Sequence, residues 1–87
     1  IAAAQSVAKD QREGVEALGI VLGGSGNGEQ MAANKVYGIR AALVWNESTA
    51  RLAREHNDAN VVALGARQHS REEVLELVKI FIGEPFY

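Results

Sequence analysis

Two rhythms of apolar residues alternate along this chain. Residues 18–22, 39–45 and 60–65 are short, nearly continuous apolar runs of strand length, rich in Val, Ile, Leu and Ala. Such runs mark strands covered on both faces, whereas half-exposed strands alternate apolar with polar positions. Around them the spacing turns helical. Ile1, Ala4 and Ala8 share one face of an alanine-rich segment that Gly14 stops. Residues 30–35 predict a short helix. Asn46 is a good N-cap for a helix carrying Thr49, Leu52, Ala53 and His56 on one stripe and ended by Asn57 and Asp58. Ser70 and Glu73 have capping-box spacing, and Val74, Leu77, Val78 and Phe81 follow at i, i+3, i+4 and i+7 before Gly83 and Pro85 close the last helix.

Strands that alternate with helices pair in parallel through right-handed crossovers. The predicted fold class is therefore α/β: an open parallel sheet with helices on both faces, Rossmann-like, with three βα units in a single domain over residues 1–87. Ligands of such sheets bind at the carboxyl ends of the strands, where residues 23–29, Asn46 and the Ala66-Arg67 pair fall.

The densest chemistry on that edge is Gly23-Gly24-Ser25-Gly26-Asn27-Gly28-Glu29. Glycines at alternate positions after a buried strand let the backbone bend around a ligand. Successive N–H groups of such a turn, with the start of the next helix, suit a phosphate or a developing oxyanion. A plain strand-to-helix turn accounts for the glycines equally well. Two sharper motifs fail. The dinucleotide fingerprint would need glycine where Glu29 stands, and a P-loop would need Lys and Ser/Thr where Glu29 and Gln30 stand. What remains is a small anion site with an acid on its rim.

Composition narrows the classes further. At 87 residues the chain buries only somewhat over half of its unfolded surface, so support from further sequence or a partner is expected. A net charge of −2 without runs of like charge argues against a nucleic-acid or membrane partner. There is no cysteine, which excludes disulfides, thiolate catalysis and cysteine metal sites and fits a reducing compartment. The apolar runs are too short to span a bilayer, and a cytoplasmic location is the expectation. The chain opens on Ile1 and stops at Pro85-Phe86-Tyr87 as a new segment begins, so it reads as the central part of a longer protein.

Four blocks carry a resemblance: residues 24–36 with Ala32-Ala33-Asn34-Lys35, residues 38–43, residues 49–60 with Ala53-Arg54-Glu55-His56-Asn57, and Leu64-Gly65-Ala66-Arg67. From about Leu18 to Phe81 the chain resembles the core of the type B ribose 5-phosphate isomerases, whose wider family includes allose and galactose 6-phosphate isomerases. The resemblance implies interconversion of a phosphorylated aldose and ketose through a cis-enediolate, without metal or other cofactor, in a homodimer. One branch of the family uses a cysteine base where this chain has Gly23. The other, familiar from actinobacteria, uses a glutamate in the arrangement seen here, which makes Glu29 the matching base. His56 matches the proton donor, Asn57 a substrate-binding asparagine and Arg67 a phosphate ligand, while Gly24, Ser25, Gly26, Asn27 and Gly28 supply the loop around the substrate. The family's Asp-His pair, borne on an earlier strand, and its phosphate-gripping arginines, borne on a later helix, have no counterpart in these residues. If the 87 residues were the whole molecule, activity would be very weak or missing.

The chemistry is coherent from below. A base must take a carbon-bound proton beside a carbonyl, which a carboxylate can do when desolvated and when fixed donors hold the oxyanion. Each residue also has a plainer account: Glu29 as a first-turn glutamate, Ser25 as a turn serine, Arg67 as a surface arginine, Asn57 as a helix C-cap, His56 as a helix-end histidine packed on Leu52 and Ala53. His69 reads as a solvated loop histidine and Trp45 as core or interface. Glu29, Ser25 and Arg67 follow strands, whereas His56 and Asn57 precede one, so a working site is expected to be shared between two chains. The competing class is an anion-binding or structural α/β unit that does no chemistry.

Overall fold

A computed structural model describes residues 2–14 and 17–86; Ile1, predicted on the first helix face, and Tyr87 lie outside the described residues. The elements run α1 (Ala2–Arg12), β1 (Gly19–Gly23), α2 (Asn27–Ala33), β2 (Ala41–Leu43), α3 (Glu47–Glu55), β3 (Val61–Gly65) and α4 (Arg71–Gly83). The three strands are parallel in the order β1-β3-β2. Gly19 to Gly23 lie opposite Val61 to Gly65, and Ala41 to Leu43 opposite Val61 to Ala63.

That order explains the two layers of helix. The chain steps outward from β1 to β2, leaving a gap, and steps back into the gap with β3. Crossovers of one hand running in opposite directions put α2 and α3 on opposite faces. The cores follow suit. Ala4, Val7 and Ala8 of α1 pack with Ala33 of α2, Ile39, Ala41 and Val61 on one face. Ala50 and Ala53 of α3 pack with Leu77 and Phe81 of α4, Val44, Val62 and Leu64 on the other.

Only β3 is covered on both faces along its whole length. β1 reads as a fully buried run in the sequence, yet Ile20 and Leu22 are 41% and 54% exposed. It is an edge strand, and α4 on its Leu18 side reaches β3 rather than β1. β2 is also an edge and shorter than the predicted 39–45, because Ile39 still belongs to a turn, its N–H donating to Val36 O at 3.1 Å. On α3 the buried positions are Ala50, Ala53 and Arg54, while Leu52 and His56 are exposed. Small alanines face inward where two helices and a sheet converge, and the larger Leu52 is left outside. Both predicted caps are present: Asn46 accepts from Thr49 N–H at 2.8 Å, and Ser70 accepts from Glu73 N–H at 3.1 Å. Glu73 accepts in turn from Ser70 N–H at 2.7 Å, which holds its carboxyl below the usual range. No helix among the described residues is long and apolar enough to cross a membrane.

Two asparagines satisfy backbone that the sheet leaves open. Asn34 bonds Ala41 twice, accepting from its N–H at 2.8 Å and donating to its carbonyl at 3.0 Å. Its amide thus stands in for a missing neighbouring strand on the free edge of β2. Asn60, 4% exposed, accepts from Arg40 N–H and donates to the carbonyl of Gly38 and to Gln11. Asn34→Ala leaves the N–H of the buried Ala41 without its partner and the Ala41 carbonyl with only Gln30 Nε2, at 3.2 Å, and we expect it to destabilise the fold by about 1–3 kcal/mol. A lowered urea midpoint at unchanged m-value is the result to look for.

Candidate active site

β1 and β3 end side by side at Gly23 and Gly65. Their exits are hooked together, Ala66 N–H donating to Gly23 O at 2.7 Å and Arg67 N–H to Gly24 O at 3.1 Å. The chain then turns through residues 24–26 into α2. Gly26 caps that helix with φ 83° and no side-chain cap. A Cβ there would lie 2.8 Å from the Leu64 carbonyl carbon and 2.9 Å from Leu43 Cδ1, so only glycine fits. This tight turn starts α2 at Asn27, ahead of the predicted residue 30, and places Glu29 in the first turn of the helix.

From there Glu29 reaches back over the strand end. A Cβ built on Gly23 would fall on its carboxylate, so the acid occupies the space that a side chain at position 23 would need. Glu29 is otherwise exposed. The Arg67 guanidinium lies over the next residue, its Cζ and Nε each 3.2 Å from a Cβ built on Gly24. The acid and the cation therefore sit on consecutive glycines of one loop, with no ion pair between them among the described residues. Ser25 Oγ accepts from Asn27 N–H at 3.3 Å, a turn bond that leaves its proton free to donate. Asn27 and Gly28 are exposed, and a Cβ on Gly28 would meet nothing within 4 Å. The N–H groups of Gly28 and Glu29 have no partner among the described residues. The loop thus offers an acid, a cation, a hydroxyl and open amides at one edge.

His56 and Asn57 are elsewhere. His56 is the C-cap of α3, with its N–H on Leu52 O, and Asn57 follows it in the turn that leads to β3. That turn lies beyond the amino ends of the strands, whereas Glu29 and Arg67 lie beyond their carboxyl ends. The four residue steps of β3 alone separate the two edges by roughly 13 Å, too far for one proton relay within a chain. Both residues are exposed, so His56 is not packed against Leu52 and Ala53, and Asn57 is not the cap.

His69 departs from the reading as a solvated loop residue. It is half-buried, and its Nε2 is enclosed without a partner among the described residues, between a cavity beside Trp45 and Leu77 and one beside Leu22 and Val74. Trp45 itself is 56% exposed. The sequence reading passed over Arg54, a buried guanidinium stacked 5.9 Å from the Phe81 ring centroid. Its signal was position: it shares the helical face of Ala50 and Ala53. The other shifted groups lie at the far end of α3 and α4, where a hydrogen bond with Glu84 raises the Glu55 carboxyl and lowers that of Glu84, and Glu47 and Glu84 raise Arg51. None of them touches the loop.

Comparison with known proteins places this geometry. The family described as Ribose/Galactose Isomerase matches residues 1–87. The chain is 59% identical over 69 residues to ribose-5-phosphate isomerase B of Mycobacterium leprae, an alignment covering 79% of this chain and 43% of that protein. It is 44% identical over 80 residues to a probable ribose-5-phosphate isomerase B of Mycoplasma pneumoniae, covering 92% and 53%. Among solved structures, ribose-5-phosphate isomerase B of Mycoplasma genitalium with bound ribulose-5-phosphate superposes with a TM-score of 0.85 at 42% identity, covering 97% of this chain and 55% of that one. The Giardia lamblia enzyme gives 0.88 at 34%, covering 98% and 65%. The chain thus spans about half the length of the relatives it matches.

The geometry separates two glycines that the sequence treats alike. Gly26→Ala places a side chain at positive φ against the end of β3, and we expect a loss of about 2 kcal/mol. Gly28→Ala meets open space and is expected to stay within about 0.5 kcal/mol. Equal urea midpoints for the two variants would contradict the turn as described.

Proposed function

The chain belongs to the ribose/galactose isomerase family, and from that premise we propose that it forms the core of an aldose-ketose isomerase interconverting ribose 5-phosphate and ribulose 5-phosphate. The observation that carries the reading is the Glu29 carboxylate seated over Gly23, the position of the base in the cysteine branch. Two relatives of known name are ribose-5-phosphate isomerases B, one of them solved with ribulose-5-phosphate bound.

In this reading Glu29 takes the proton from C2 of the open-chain aldose. The carbonyl oxygen at C1 gains the negative charge of a cis-enediolate, stabilised by the open amides of the loop and the Ser25 hydroxyl. A proton moves between the two enediolate oxygens, and Glu29 returns its proton to C1 to give the ketose. Because Glu29 is exposed in the single chain, its desolvation comes from substrate and from a facing surface. Arg67 binds the phosphate, a role suited to a guanidinium with paired donors. Asn27 and Asn57 add hydrogen bonds to the sugar.

His56 serves as the proton donor from a second subunit. In a two-fold homodimer the His56-Asn57 turn of one chain faces the loop of the other, completing two identical sites, which reconciles a donor and a base at opposite edges of one sheet. An imidazole, which can both donate and accept a proton, suits exchange with a sugar oxygen. A cytoplasmic location belongs to the same proposal.

The tests use the protein at its full natural length. With ribose 5-phosphate in deuterated water, the reading requires ribulose 5-phosphate and deuterium at the reacting carbon. Binding without exchange would leave an anion-binding unit, and faster exchange with allose or galactose 6-phosphate would reassign the sugar. Glu29→Gln is expected to lower kcat by at least about 100-fold with little change in KM; near-normal turnover would remove Glu29 from the mechanism. Mixing His56→Ala with Glu29→Gln subunits is expected to restore activity, because mixed dimers contain one intact site. Sites built within single chains would stay silent.

A further inference from the structure

His56 and Asn57 sit on a turn that is held far more firmly than an exposed helix end needs. Their side chains bond nothing among the described residues, yet the backbone amides of residues 56, 58 and 59 are all tied back to α3. His56 N–H reaches Leu52 O, Asp58 N–H reaches Arg54 O, and Ala59 N–H reaches Ala53 O at 2.8 Å. Asp58 adopts φ 47°, the only non-glycine residue described with a positive φ. That conformation is unfavourable for a residue with a Cβ and persists where surrounding contacts impose it.

Those contacts are two arginines closing on one carboxylate. Arg54 Nη1 donates to Asp58 Oδ1 at 3.1 Å and to the Ala59 carbonyl at 2.6 Å, while its Nε donates to the Glu84 carbonyl at 3.2 Å. Arg40 grips from the other side, Nη2 on Asp58 Oδ2 at 3.2 Å and Nε on the Asp58 carbonyl at 3.4 Å. Arg54 is 8% exposed and backed by Phe81, whereas the Arg40 side chain is 61% exposed. Asp58 is therefore pinned between a buried anchor on α3 and an outer one just before β2.

We infer that Asp58, clamped by Arg54 and Arg40, is a positioning residue that fixes the turn presenting His56 and Asn57 to the facing subunit. The inference rests on the shared-site reading above. None of the three residues touches substrate; they act through the backbone that carries the two that do. A clamp serving only to fasten α3 to α4 would need Arg54, Phe81 and Glu84, but would have no use for Arg40, which lies outside that contact.

Asp58→Gly tests this, because glycine accepts the positive φ while both ion pairs are lost. The expected result is a fall in kcat on the order of 10- to 100-fold, as for catalytic groups displaced by about 1 Å, with KM changed much less. Arg40→Ala provides a second variant that folds whatever Asp58→Gly does, since an exposed ion pair adds little to stability; about a threefold or larger fall in kcat at unchanged melting temperature is expected. Asp58→Asn, which keeps an acceptor for Arg54 and tolerates the same φ, should recover most of the activity. Subunit mixing identifies which half of the site is damaged. Either weakened variant should be rescued by Glu29→Gln subunits and not by His56→Ala subunits. Normal kcat in Arg40→Ala and Asp58→Gly overturns the inference, as does rescue by His56→Ala subunits. A control mixture of His56→Ala and Glu29→Gln that stays inactive removes the shared site itself, and the positioning role with it.

Discussion

The burial of β3 on both faces is the constraint from which the other elements take their places. Val61, Val62, Ala63 and Leu64 have no exposed surface, and each Val or Leu so buried contributes about 1.5–3 kcal/mol relative to an exposed one. Alternate residues serve opposite layers: Val61 packs with α1 and α2, Val62 and Leu64 with α3 and α4. The last strand in sequence is central in space, and the chain crosses one face with α2 and the other with α3 before reaching it, while α4 completes the cover afterwards. The carboxyl end of this most confined strand is also the floor of the candidate site. Gly26 lies against Leu64, and the hydrogen bonds of Ala66 and Arg67 tie the exit of β3 to that of β1. The loop inherits its rigidity from the core beneath it.

The two edges of the sheet reach order by opposite means. At the carboxyl edge, backbone approaches backbone through glycines, and amides at the start of α2 are left without partners, as a loop that wraps an anion requires. At the amino edge, the turn after α3 is held by bonds to the Leu52, Ala53 and Arg54 carbonyls and to the Arg40 and Arg54 guanidinium groups, while the side chains of His56 and Asn57 have no hydrogen-bond partner among the described residues. The carboxyl edge displays open amides beside Glu29, Ser25 and Arg67, and the amino edge displays the side chains of His56 and Asn57. In the proposed two-fold dimer, each edge would meet the kinds of group that it lacks.

What the sequence disclosed and what it hid divide along range. Caps at Asn46 and Ser70, the stripe of α4 and the existence of three strands depend on neighbours within a turn or two, and they were legible from spacing alone. The exposure of Ile20 and Leu22 depends on β1 being an edge, a consequence of the order β1-β3-β2 that local pattern does not encode. The stripe of α3 drawn from spacing holds Ala53 but is turned away from the buried face, because close packing placed Ala50 and Arg54 beside Ala53 and left Leu52 and His56 outside. At the site, Glu29 and Arg67 were named from the resemblance, and their loop gathers both. For Arg54 the only local signal was its place on the face of Ala50 and Ala53, because its main surroundings, Phe81 and Glu84, are brought in by the tertiary fold.

Gly23 gives the loop its chemical identity through what it lacks. The Glu29 carboxylate lies where a Cβ at position 23 would stand. A side chain at 23 and the present placement of Glu29 therefore exclude one another, since two sets of heavy atoms cannot share that volume. In the proposed mechanism, a base arriving from the strand end and a base arriving from the first turn of α2 are alternative ways of filling one space beside the same turn. The absence of cysteine at 23 is thus a condition for the glutamate to lie over the strand end at all. A side chain placed there would displace the carboxylate from its seat over the strand end, even with Glu29 itself unchanged.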